Sequence, residues 1–152
     1  MKLPDVFSPS VSAELIQRVE RLTPETQPKW GKMDVAQMLA HSNVSYDIAY
    51  GRIETNHNFL MKLMLKYLIK PKVVGTKPYK PNSPTAPIFK IADEKDFAAE
   101  KQKLIENIQV SQEHGHAHFE GKENPGFGEL TAEEWSNLFY KHLDHHLSQF
   151  GV

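Results

Sequence analysis

TAEEWSNLFYKHLDHHLSQF, residues 131–150, reads as one amphipathic helix. Thr131 followed by Glu134 is a capping-box signal, in which each side chain satisfies a backbone N–H that the first turn leaves without a partner. Trp135, Leu138, Phe139, His142, Leu143, His146, Leu147 and Phe150 then recur at the three- and four-residue spacing of one helical face. Glu133, Glu134, Asn137, Lys141 and Asp144 fall mostly opposite and are expected to lie toward solvent. A helix striped in this way has to bury its apolar side against other helices, so the stretch argues for a helical assembly.

Working outward, the same periodicity carries most of the chain, and convincing alternating strands are missing. Ser12 is a candidate cap for a first helix containing Leu15, Ile16, Val19 and Leu22, ending before Pro24. Asp34 with Gln37 three residues later opens a second helix that runs to about residue 50. A third is expected over 57–69, stopping at Pro71, and a fourth over 93–110 with Phe97, Leu104, Ile105 and Ile108 on one side. Residues 71–90 hold five of the ten prolines and no acid, which predicts an irregular connector. The expectation is a single all-α domain over residues 1–152, a four-helix bundle with an additional helix.

Composition narrows the function. With 18 basic and 19 acidic residues the formal net charge is -1, which gives no reason to expect nucleic acid or an anionic membrane as partner. Cysteine is absent, so disulfides, thiolate metal sites and a cysteine nucleophile are excluded. The N-terminus has no apolar signal core, and FLMKLMLKYLI at 59–69 is too short to span a bilayer and is interrupted by Lys62 and Lys66. A cytoplasmic location is expected.

The chemistry lies in histidine. His142 and His146 are one helical period apart, so both imidazoles can reach one ion, whereas His145 points in another direction. His41 is the only histidine of the second helix and lies near its packed side, which makes it the natural third ligand. Three neutral imidazoles suit zinc, nickel, cobalt or iron(II), and leave coordination positions open for water or substrate. The competing reading is packed, hydrogen-bonded histidines with no ion.

The segments DVAQMLAHS, NPGFGELTAEEW and KHLDHHLSQF resemble the DinB/YfiT-like superfamily and, within it, the DUF1569 branch. The resemblance implies a four-helix bundle with a divalent metal, zinc or nickel, on His41, His142 and His146. It makes His145 the extra histidine before the last ligand, with His145 and Gln149 as packing or hydrogen-bonding neighbours of the site. It also implies metal-dependent hydrolysis or transfer of a thiol cofactor on a small molecule, and a homodimer. Many relatives carry arginine and glycine where this chain has Leu147 and Ser148, and a histidine where it has Asn124, so substrate does not carry over. The alternative is a non-catalytic metal- or small-ligand-binding protein with a structural ion.

Other residues are candidates on weaker grounds. Tyr46, Trp135 and Phe139 could line a cleft or belong to the core. His114, His116 and His118 alternate in a glycine-bearing segment; if extended, they would face one side as a second metal site or a lid.

Overall fold

The computed structural model describes residues 1–152. The first helix, α1, spans Pro9–Glu20, with Ser8 rather than Ser12 at its cap. Pro9 takes the first helical turn, where its missing N–H costs nothing, and Ser12 is buried inside the helix. Arg18 ties α1 to the far end of the chain, donating to Asp144 Oδ1 at 2.8 Å and to the Val152 carbonyl at 2.9 Å.

Helix α2 spans Val35–Ala49 and starts with the expected capping box between Asp34 and Gln37. It is buried nearly all round, including Ser42, Asn43, Ser45 and Asp47. Ser42 and Ser45 bond within α2, to Met38 Sδ and the Ser42 carbonyl, whereas Asn43 and Asp47 find partners on the long helix α5, Phe97–Phe119. Asn43 donates to Glu100 Oε2 at 2.9 Å and accepts from Asn107 at 2.9 Å, while Asp47 pairs with Arg52 and Lys103. Burial of such groups is tolerated because each finds a partner.

Between α2 and α5 the chain departs from expectation. Helix α3, Phe59–Met64, passes through a π-turn at Leu65–Ile69 into α4, Lys70–Val74. The helical path therefore does not stop at Pro71. The wider turn comes just before the proline, so its missing N–H falls in the first turn of α4, where no intrahelical bond is lost. From Gly75 onward the expected irregular connection follows, relieved only by a 3-10 turn at Pro87–Phe89.

Helix α5 begins at Phe97, capped by Asp96, and runs well beyond residue 110 to Phe119. Gly115, at φ 63, bends it without ending it. A hairpin follows, β1 at Lys122–Asn124 and β2 at Gly128–Leu130, paired antiparallel with Glu123 opposite Glu129. Strands this short show no alternation, so the sequence pattern did not reveal them. Asn124 Oδ1 holds the turn by accepting from the N–H groups of Gly126 and Phe127. Helix α6, Ala132–Gln149, carries the expected Thr131/Glu134 capping box.

The chain is thus mostly helical, with one two-stranded sheet. Helices α1, α2 and α6 all pack on α5, and α6 also meets α1, α2 and α4. Leu15, Val19, Met38, Leu39, Leu104, Ile108, Trp135 and Leu143 are among the residues of one shared core. Tyr46, Trp135 and Phe139 belong to that core and do not line a cleft: each is at most 1% exposed, and Tyr46 stacks on Phe139 with ring centroids 4.5 Å apart.

Contact with α4 also corrects the outer face of α6. Asn137 and Lys141, expected in solvent, are buried. Asn137 donates to the Val74 carbonyl, and Lys141 Nζ donates to the carbonyls of Lys72 and Gly75 at 2.6 and 2.8 Å. These are the carbonyls that the end of α4 leaves without partners, and a buried ammonium is what satisfies them. Burial pushes the Lys141 amine down to about 8.

Candidate metal centre

α2 presents His41 and α6 presents His142 and His146 at one place, and one ring nitrogen from each lies within 4.8 Å of those of the other two. His41 Nε2 and His142 Nε2 are 2.9 Å apart. His41 and His146 are buried, while His142 keeps some exposure.

The hydrogen bonds behind the rings decide which nitrogens face inward. His41 Nδ1 is 2.7 Å from the Phe89 carbonyl, which can only accept, so Nδ1 carries the proton and Nε2 a lone pair. Gln149 Nε2 donates to the Trp30 carbonyl at 2.8 Å, which leaves Gln149 Oε1 to accept from His146 Nδ1 at 2.7 Å. His146 therefore also offers Nε2. The close approach of Gln149 requires glycine at position 31: a Cβ there would stand 2.7 Å from Gln149 Nε2, and Gly31 already sits at φ 83.

His142 completes the set differently. Its Nδ1 is buried without a partner, and its Nε2 faces the lone pair of His41. Two such nitrogens repel each other unless a proton or a cation lies between them. With the proton on Nε2, His142 donates to His41; with the proton on Nδ1, three lone pairs converge, the donor set that a borderline divalent ion takes, so the three histidines could hold a metal ion.

Electrostatics agree with that chemistry. Burial holds the His41 imidazole below its ordinary range and holds His142 well below it, with the neighbouring histidines adding repulsion at His142. Burial pushes His146 down to about 3. All three are neutral at pH 7, the state in which imidazole ligates.

His145 points elsewhere. Its ring meets the edges of Trp30 and Tyr79, both at 5.8 Å between centroids, outside the three-histidine group. Gln149 makes the hydrogen bond to His146 described above.

The three histidines of the 114–118 segment do not converge on one side. Because α5 continues through them, His114 and His118 share a face and stack at 4.5 Å beside Tyr50, whose hydroxyl lies 2.9 Å from His114 Nδ1. His116 points away and pairs with Asp5 at 2.8 Å. The extended segment that would have aligned all three is not formed.

His41, His142 and His146 open onto a cleft of about 670 Å³. Its walls include Ile48, Leu65, Ile69, Phe89, Phe127 and Leu138, drawn from the helices, the hairpin turn and the connector. Two participants have no signature in sequence: the Phe89 carbonyl that orients His41, and Thr55, whose buried hydroxyl has no partner.

Fold and site together define a mostly helical protein with a buried three-histidine cluster able to hold a metal ion at the edge of a cleft. The chain belongs to the DUF1569 family, described as a protein of unknown function, whose family model matches residues 10–151. Neither the curated proteins nor the solved structures contain a match to it. No helix is long and apolar enough to cross a membrane.

Proposed function

We propose that this protein is a divalent-metal protein of the DinB/YfiT-like kind, a four-helix bundle whose ion, zinc or nickel, rests on His41, His142 and His146 and acts on a small molecule. The observation that carries the reading is the orientation of the rings: backbone and amide acceptors hold His41 and His146 with Nε2 facing inward. Such outer hydrogen bonds fix both the tautomer and the direction of a ligating histidine. An ion held there supplies Lewis acidity toward a carbonyl, phosphoryl or water oxygen. The protein's own share is to keep three imidazoles neutral, to orient them through Phe89 and Gln149, and to present them to an apolar cleft.

Hydrolysis and thiol transfer are the two reaction classes in view, with substrate anion or thiolate at the open side. A structural ion is the second reading. It would favour a fourth protein ligand; no Asp or Glu borders the cleft, and beyond the cluster its histidines are His57 and His145, neither of them grouped with the three. Self-association belongs to the same proposal: a second copy would cover the apolar face of α3.

The deciding experiment is elemental analysis of protein purified without a histidine tag, paired with urea unfolding, for wild type and His41→Ala. Stoichiometric zinc or nickel in the wild type, its loss in a variant that remains folded, and loss of turnover with the ion constitute the expected result. Full metal content in His41→Ala overturns the assignment. Unfolding on chelation of the wild type favours the structural ion.

A further inference from the structure

The cleft beside the three histidines has a composition unlike that of the chain. At 19 acids in 152 residues, thirty lining residues would include about four, yet the lining holds none. It does hold Lys32 and Lys90, so with every histidine counted neutral the wall carries a formal charge of +2 from two lysines and no acid. Both lysines are exposed, and neither has a carboxylate within ion-pair distance. The remainder is largely apolar, with Ile69 and Phe127 on opposing elements. Two lining residues, Thr55 and His142, each have a buried polar atom, Oγ1 and Nδ1, without a hydrogen-bond partner.

We propose that the cleft binds an anionic amphiphile, an organic acid whose charged head lies among the histidines and lysines and whose hydrocarbon or aromatic body lies along the apolar wall. An organic ammonium ion, which has no vacant orbital to take imidazole lone pairs as a metal ion does, would meet two lysines and no carboxylate to neutralise it. A sugar or other uniformly polar molecule would leave its hydroxyls unpaired against Ile69 and Phe127. A small inorganic anion would satisfy the head and leave most of the 670 Å³ to water. The inference refines the substrate class of the proposed metal centre and rests on it only for the ion's added charge, because the lysines and the missing acids belong to the chain itself.

Calorimetric titration tests this with octanoate, octan-1-ol, octylammonium and acetate, on chelated and on zinc-treated full-length protein. Octanoate should bind at a single site about tenfold or more tighter than octan-1-ol, equivalent to about 1.4 kcal/mol. Octylammonium and acetate should show no comparable uptake. Ile88 borders the cleft and is 36% exposed, so the fold should tolerate replacement. Ile88→Glu should weaken octanoate about tenfold or more while Ile88→Gln retains most of it, with both circular dichroism spectra unchanged. Octanoate selectivity in a protein that takes up no zinc would end the metal reading and leave this inference standing. Zinc uptake with octan-1-ol, octylammonium or acetate bound as well as octanoate would overturn the inference and leave the metal reading. Equal octanoate affinity in wild type and Ile88→Glu would place the acid elsewhere, and likewise overturn it.

Discussion

Lowering the pH of the metal-free protein from 7.5 to 5.0 should destabilise it through the histidine cluster, by an amount set largely by burial. His146 is held at about 3 in the folded chain against an ordinary value of 6.5. Below pH 6.5 the unfolded chain takes up a proton that the native site refuses. Stability is therefore full above pH 6.5 and declines as pH falls toward 3. At pH 5.0 the loss from His146 alone is about 2 kcal/mol, and His41 and His142, shifted in the same direction, add to it. Urea unfolding in the presence of chelator, followed by fluorescence of Trp30 and Trp135, would measure it, and His146→Gln should flatten the pH dependence by roughly that 2 kcal/mol. The same neutrality limits proton release on zinc binding. Three solvent-exposed histidines would give up about two protons at pH 6, whereas this site should release well under that, as calorimetry in buffers of different ionisation enthalpy can show. Wild type and His146→Gln losing stability in parallel, or proton release near that of free imidazoles, would refute the argument.

Gln149→Leu should lower zinc affinity by roughly 10- to 100-fold in a competition titration, because it strands both the His146 Nδ1–H and the Trp30 carbonyl. His145→Gln should spare most metal affinity, since the ring packs between Trp30 and Tyr79; a loss equal to that of His146→Gln counts against it. Lys141→Met keeps the apolar stem but leaves the end of α4 without its donor, and should cost about 1–3 kcal/mol by urea titration, with wild-type stability the contrary result. Seven of the nine exposed large hydrophobic residues lie between Phe59 and Leu68, flanked by Lys62 and Lys66, so self-association through α3 should strengthen as salt screens the lysines and vanish in Leu60→Asp. Sedimentation showing only monomer at both low and high salt ends that expectation.

Some of this protein was decided locally. The capping pairs Asp34/Gln37 and Thr131/Glu134 place the starts of α2 and α6 because each is a contact between residues three apart. The direction shared by His142 and His146 likewise follows from helical geometry, which four residues suffice to set. Other features had no local cause. Lys141 is charged and sits outside the apolar stripe, and only the arrival of α4 turns it into a buried cap. Proline at position 71 reads as a stop until a π-turn one step earlier makes room for it. His114, His116 and His118 depend on whether Gly115 ends α5 or bends it, which packing of Phe119 into the core helps to decide. The site itself is divided in the same way. The sequence by itself determined which imidazoles share a helical face, because spacing alone sets that direction. Which nitrogen of His41 and His146 faces the centre depends on a carbonyl 48 residues away and on an amide pinned by another carbonyl 119 residues away. Only the tertiary structure could decide it, since those hydrogen bonds exist only once distant segments have packed together.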